Sequence, residues 1–152
     1  MTHHQLRWLV PLVSLVVFGC SSPEPHPIDY GNTECASCMM MVTDPRFGAE
    51  AVTNTGKTYV FDAIECMLGW YLAEDVVTQE DIHSLWVSDH AVPGTLIDVS
   101  SAHFLHSEEL RSPMSMNVAS FAEERTLRDA QARYGGEHIT YGQVVAMAED
   151  YR

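Results

Sequence analysis

The fold is decided by residues 48–72, which read GAEAVTNTGKTYVFDAIECMLGWYL. Two short runs of β-prone residues flank Asn54-Thr55-Gly56, a turn signal of the hairpin type. Apolar residues then recur at helical spacing, and Asp62 with Glu65 three residues later has the form of a capping box. The stretch therefore predicts a β-hairpin followed by a helix with Asp62 as its N-terminal cap.

The same order of elements recurs along the rest of the chain. Further strands and helices are predicted at residues 84–88, 95–99, 102–106, 117–121, 122–134 and 138–141, before a terminal helix. The pattern predicts an α+β fold in which two small ββαβ units pack together. In that arrangement residues 34–44 and 108–117 form loops at related places in the two halves.

The N-terminal region reads as a targeting segment. Residues 1–19 hold Arg7 and then an apolar run that is too short to span a bilayer as a lasting helix, which is typical of a secretory signal peptide. The ending Val17-Phe18-Gly19-Cys20 resembles the bacterial lipobox and predicts lipidation at Cys20. An ordinary signal peptide beside a coincidental cysteine is the alternative. Ser21 after the cysteine favours the periplasmic face of the outer membrane over the inner membrane.

The segment after Cys20 separates the predicted anchor from the predicted domain. Residues 20–33 begin with the lipidated cysteine and are rich in proline, which predicts a stiff and extended tether. The folded domain is predicted at residues 34–152. The formal net charge of the chain is −13 at pH 7, which disfavours contact with nucleic acid and with anionic membrane surfaces.

A cluster of sulfur side chains opens the predicted domain. Residues 35–41 read CASCMMM, two thiols and three thioethers in seven positions. Soft sulfur ligands of both kinds favour Cu(I), whereas a structural zinc site has no use for methionine. Met114 and Met116 lie in the related loop of the second half, and their alternation puts both thioethers on one side of an extended segment. The pattern predicts a copper site built from both loops.

Other sulfur and nitrogen donors are weaker candidates. Cys66 is expected to be a small buried hydrophobic residue in the first helix. His103 and His106 stand close enough to the second loop to be considered, but residues three apart in a strand face opposite sides. Once Cys20 is acylated an odd number of thiols remains, so at least one cannot form a disulfide.

In combination these segments resemble the NosL family of nitrous oxide reductase accessory proteins. The resemblance is carried by the lipoprotein signal, CxxCxM at residues 35–40, GKTYVFDAIECML at residues 56–68 and SPM at residues 112–114. It implies a periplasmic, lipid-anchored Cu(I) metallochaperone, not an enzyme, with a fold similar to that of organomercurial lyase. It also implies partners, namely apo nitrous oxide reductase or its ABC-transporter-type maturation complex, and no nucleic acid.

The resemblance also suggests which residues bind the metal. The CxxCGM element of the family falls on Cys35, Cys38 and Met40, and its Pro-Met-Gly element on Pro113 and Met114. The expected donors are therefore Cys35 or Cys38 with Met40 and Met114, and Met116 as an additional thioether.

Two departures from the family pattern and two rival functions stay open at this stage. Met39 and Ser115 stand where the family has glycine, and the loss of glycine at a tight turn predicts a differently shaped loop. The main rival is a periplasmic thiol-disulfide oxidoreductase that uses Cys35 and Cys38. A lyase that cleaves carbon–mercury bonds is suggested by fold analogy alone.

Overall fold

The computed structural model describes residues 23–150, and the predicted signal peptide and the lipidation site at Cys20 lie outside these described residues. The first unit contains β1, β2, α1, β3 and β4, at Ala49–Thr53, Thr58–Phe61, Ile64–Ala73, Ile82–Ser88 and Leu96–Asp98. The second unit contains β5, β6, α2, β7 and α3, at His103–His106, Val118–Phe121, Glu124–Tyr134, Glu137–Ile139 and Tyr141–Asp150. The predicted α+β fold of two ββαβ units is confirmed.

The two sheets have the same internal order. In the first sheet the order is β2-β1-β3-β4, and in the second it is β6-β5-β7. The first strand of each unit therefore lies between the second and the third, and both pairings are antiparallel. The first helix of each unit follows the second strand, so α1 and α2 begin at corresponding places.

The two units share one hydrophobic core. The larger cluster of buried side chains includes Phe61 and Met67 from the first unit together with Phe104, Val118 and Val144 from the second. A smaller cluster lies between the second sheet and α2. Burial of large apolar side chains stabilises by roughly 1.5–3 kcal/mol for each, so the shared core holds the two units together.

The residues just before the sulfur cluster already contact the domain. Ile28 is buried in the shared core, and the Tyr30 hydroxyl lies 3.0 Å from the Ser88 hydroxyl oxygen on β3. The backbone N–H of His26 donates to Glu50 Oε1 at 2.9 Å. Part of the predicted tether is thus packed against β1 and β3. No helix within residues 23–150 has the length and apolar character needed to cross a membrane.

Candidate metal centre

Cys35 and Cys38 lie on a tight loop ahead of β1. A β-bridge between Glu34 and Met41 closes the loop, and the Cys35 N–H donates to the Met40 carbonyl at 2.8 Å. The N–H of Ala36 donates to the Val60 carbonyl at 2.8 Å and attaches the loop to β2. This attachment places the two thiols beside the end of β2, where α1 begins.

Asp62 and Cys66 approach the same point from the start of α1. Asp62 follows β2, and Cys66 lies in the first turn of the helix. Both side chains reach the cysteine loop, since a potential ligand atom of each lies within 4.8 Å of those of Cys35 and Cys38. The prediction that Asp62 caps this helix is wrong. The N-cap is Ala63, without a side-chain cap, and Asp62 Oδ2 instead accepts a hydrogen bond from the Cys38 thiol at 3.6 Å.

Four side chains converge to form the sulfur cluster, which we define as Cys35, Cys38, Asp62 and Cys66. One potential ligand atom from each lies within 4.8 Å of all the others. All three cysteines are free thiols, and only Cys38 is partly exposed. Asp62 Oδ1 is buried and has no hydrogen-bond partner. A buried carboxylate oxygen without a donor is costly, and a cation among the thiols would satisfy it.

The protons of the cluster are distributed unevenly among its thiols. The pKa of Cys35 is lowered to about 6, mainly because the Cys66 thiol donates a hydrogen bond to it, with help from the backbone N–H groups of Ser37, Cys38 and Asp62. Donating that bond and being buried raise the pKa of Cys66. Burial also raises the pKa of Cys38. At neutral pH Cys35 is therefore the thiolate of the cluster. Cys38 and Cys66 are thiols whose protons are displaced when a metal ion binds.

The methionines of the first loop are exposed, in contrast to the sulfur cluster. Met39, Met40 and Met41 are among the most exposed large apolar side chains in residues 23–150. Cys35, by contrast, is completely buried. The Met40 thioether is thus accessible to solvent and to partners, and the backbone N–H of Met40 donates to the Cys38 sulfur.

The second loop lies against the same core as the sulfur cluster. Met116 is buried, and Met114 is half-buried and packs against the hydrophobic cluster that contains Cys35 and Cys66. The extended geometry expected for this segment is wrong, because the Ser115 N–H donates to the Ser112 carbonyl at 3.0 Å and forms a turn. Met114 and Met116 therefore differ in burial and do not share one strand face.

A buried carboxylate connects the second loop to α1. Glu65 Oε1 accepts from the Ser112 hydroxyl at 2.6 Å and from the Met116 N–H at 3.4 Å. Glu65 therefore does not form the predicted capping box. It precedes Cys66 directly, so the structure brings the loop that carries Met114 to the helical turn that carries part of the sulfur cluster.

No histidine belongs to the sulfur cluster within residues 23–150. The His103 ring packs edge-on against His138 with the ring centroids 6.1 Å apart. His106 Nε2 lies 3.8 Å from Glu108 Oε1. Both histidines have other neighbours on or near β5.

Cys66 and Asp62 are the site residues that sequence reasoning placed elsewhere, one in the core and one at a helix cap. The signal available in the sequence was their spacing, because an acidic residue and a cysteine only four positions apart both stand at the predicted junction between a strand and a helix. That spacing gains meaning only when the CxxC loop is known to dock there.

Comparisons with known proteins agree with this architecture. The family model described as NosL matches residues 27–148. The chain is 28% identical to the copper-binding lipoprotein NosL of Stutzerimonas stutzeri in an alignment over 148 residues that covers 90% of this chain and 77% of that relative. The crystal structure of the copper chaperone NosL from Shewanella denitrificans matches with a TM-score of 0.68 at 20% identity, over 80% of this chain and 96% of that chain. At that level of identity the likeness concerns the fold.

Proposed function

The chain belongs to the NosL family, and from this premise we propose that it is a Cu(I)-binding metallochaperone that carries copper as cargo. The observation that carries the proposal is the convergence of three free thiols and one carboxylate within 4.8 Å of one another. Thiolates are the ligands that Cu(I) prefers among protein groups. The copper-binding names of the two relatives support the same metal.

The arrangement of protons suggests how the ion enters. Cys35 is the thiolate that attracts the cation first, since the Cys66 thiol and three backbone N–H groups stabilise its charge. Binding then replaces the protons of Cys66 and Cys38. The Cys38 thiol already donates to Asp62, so this carboxylate is placed to pass the Cys38 proton on to solvent. Copper uptake by this site releases protons.

The thioethers suit the exchange of the cargo. Met40 is exposed beside the buried thiols, and Met114 packs against the core that contains them. Thioether sulfur is neutral and soft, so methionines at the mouth of a thiolate site offer weaker ligands from which an ion leaves easily. Met40 and Met114 are the thioether donors that we propose for copper. Met116 is the least accessible of the predicted donors because it is buried.

The cellular role we propose follows the family. A lipid on Cys20 anchors the domain to the periplasmic face of the outer membrane. It supplies Cu(I) for the copper centres of nitrous oxide reductase, either to the apo enzyme or through an ABC-transporter-type maturation complex. The name of the relative from Stutzerimonas stutzeri, a copper-binding lipoprotein, supports the anchor.

The rival function is thiol-disulfide exchange by Cys35 and Cys38. The lowered pKa of Cys35 is a property that such enzymes share. Redox CxxC motifs usually owe that pKa to a helix N-terminus, whereas here the motif lies on a loop and Cys66 is the main cause. A third thiol in hydrogen-bond contact with the first suits a metal site better than a two-thiol redox pair.

A competition titration with a Cu(I) chelator under reducing conditions tests the proposal. We expect one Cu(I) per chain, with Zn(II) bound far more weakly. Cys66→Ser should lower the Cu(I) affinity by at least about 100-fold, because loss of a ligand should exceed the 10–100-fold typical of supporting residues. Met147→Ala on α3 is the control and should change stability only.

Two results would contradict the proposal. If Cys66→Ser leaves the affinity unchanged while Cys35→Ser and Cys38→Ser abolish binding, the site is a local CxxC loop and the sulfur cluster is not the centre. If the protein reduces insulin with turnover and binds Cu(I) no better than an unfolded chain does, the oxidoreductase is the correct function.

A further inference from the structure

The second loop is a small rigid unit with its own hydrogen bonds. The Ser112 N–H donates to Asn117 Oδ1 at 3.1 Å, and the Asn117 N–H returns a bond to the Ser112 hydroxyl oxygen at 2.9 Å. The Asn117 side-chain amide donates to Glu108 Oε2 at 3.0 Å. Met114 is at the tip of this unit, so its position depends on where the whole loop is held.

Glu65 is the group on α1 that receives the loop. It is almost fully buried, and its Oε1 accepts from Ser112 and Met116, on either side of Met114. Its Oε2 is buried without a partner. Burying a carboxylate in this way is expensive compared with an apolar residue of similar volume, so stability alone does not account for a glutamate here.

The position of Glu65 in the helix gives its bonds a consequence for the metal site. The next residue, Cys66, lies in the same first turn of α1, and Asp62 lies just before the N-cap of that helix, three residues ahead of Glu65. The start of α1 therefore carries half of the sulfur cluster. A loop bonded to this turn cannot shift relative to Cys66 without breaking those bonds. The distance between Met114 and the thiols is therefore set through Glu65.

We propose that Glu65 is a positioning residue that docks the second loop so that the Met114 thioether reaches a copper ion bound by the sulfur cluster. This inference rests on the proposed function, since it assigns Met114 a part in the same site. Glu65 itself does not touch the metal. It acts through the hydroxyl of Ser112 and the backbone of Met116, and it makes the site a product of both halves of the fold.

The test measures Cu(I) affinity by chelator competition in the full mature chain and in single and double variants. Glu65→Ala should weaken Cu(I) binding about 10-fold, the lower end for a supporting residue, and Met114→Ala should do the same. The double variant should be no weaker than either single one, because both changes remove one interaction. Copper X-ray absorption should show one sulfur neighbour fewer in Glu65→Ala than in the wild type.

Matched variants separate positioning from charge and from folding. Glu65→Gln keeps an acceptor oxygen for Ser112 and Met116 but removes the charge, so its affinity should stay within about threefold of the wild type. Glu50→Ala removes another buried glutamate, bonded to the His26 N–H, and should reduce stability without changing Cu(I) affinity. If Glu65→Ala fails to fold, Ser112→Ala takes its place with the same expected result.

Several outcomes would overturn the inference. It fails if the effects of Glu65→Ala and Met114→Ala add, or if Glu65→Gln loses as much affinity as Glu65→Ala, which would assign the effect to charge. It also fails if Met114→Ala has no effect while Cys66→Ser abolishes binding, a result that leaves the proposed function intact. If the wild type binds no Cu(I), the proposed function and the inference fall together.

Discussion

At the residue scale, the two positions where the sequence departs from the family pattern have the same backbone conformation. Met39 has a φ of 62° and Ser115 a φ of 69°, the left-handed region that glycine adopts without strain. The chain therefore keeps the turns that glycine would favour and tolerates side chains that are unfavourable there by about 1–2 kcal/mol. The absence of glycine does not remove either turn. The hydrogen bond from Cys35 to Met40 stabilises the first turn, and the bond from Ser115 to Ser112 stabilises the second.

This strain leads to a prediction about stability. Met39→Gly should raise the free energy of unfolding by roughly 0.5–1 kcal/mol, since relief of the left-handed strain exceeds the extra entropy that glycine loses on folding. Urea denaturation of the apoprotein measures the change. Met41→Gly is the control, because Met41 is not among the residues with positive φ and glycine there should only destabilise. An equal loss of stability in both variants would disprove the strain.

The donor set shows where sequence reasoning reached its limit at this scale. The presence of Cys35 and Cys38 in one site was predictable from the CxxC motif, which places both on one short loop. Asp62 was read as a helix cap because a short polar residue before an apolar helix usually is one. In the structure the Asp62 carboxylate instead accepts a hydrogen bond from the Cys38 thiol. The two residues are 24 positions apart, and no local pattern reveals such a contact.

At the element scale, the order of strands and helices was predictable because each element has a local signal. Asn54-Thr55-Gly56 marked the β1–β2 turn, and α2 ends at Tyr134, where the range predicted from the sequence also ends. The sheet order was not predictable, because pairing of β1 with β3 joins residues that only the folded core brings together. The same holds for the docking of the second loop on α1, which depends on the buried Glu65.

The glycine pair after α2 gives a second prediction about stability. Gly136 has a φ of 89°, and a Cβ there would overlap the carbonyl oxygen of His106 and approach Ser107 Cβ to 2.6 Å. Gly136→Ala should lower the free energy of unfolding by more than about 2 kcal/mol, since backbone strain and overpacking combine. Thermal and urea denaturation check this.

Gly69 in α1 is the matched control for that change. An added Cβ meets nothing within 4 Å there, and alanine is the better helix former, so Gly69→Ala should raise stability by about 0.5–1 kcal/mol. If both alanine variants shift stability in the same direction, the close approach of Gly136 to β5 does not limit this fold.

At the scale of the whole molecule, the candidate metal centre lies in the first unit, next to a contact with the second. The units are joined through the shared core, through the parallel bridge between Asp89 and Ser120, and through the bond from Ser112 to Glu65, the neighbour of Cys66. A ligand that binds the folded state alone stabilises it through mass action. Copper bound by donors from both loops would therefore stabilise the packing of the two units against each other as well as the first unit itself.

The proposed lipid on Cys20 would set the range over which this domain works. Five residues lie between Cys20 and His26, whose N–H already bonds to Glu50, and a fully extended chain over those six steps spans at most about 22 Å. A lipid on Cys20 would thus keep the sulfur cluster within a short distance of the membrane, even though the acidic domain has no attraction to an anionic surface. Anchoring and copper binding should then be separable properties.

Cys20→Ser tests this separation. The variant should move from the membrane fraction to the soluble fraction, and its purified domain should bind Cu(I) with unchanged affinity, because Cys20 is not one of the four residues of the sulfur cluster. Copper loading of nitrous oxide reductase in cells should fall under the proposed function, since the variant would no longer stay beside the proposed membrane partner. Cys66→Ser is the converse control, expected to remain in the membrane fraction and lose Cu(I). Mass spectrometry should find an acylated N-terminal cysteine in the wild type. If the Cys20→Ser protein stays in the membrane fraction, another segment anchors it and the prediction is wrong.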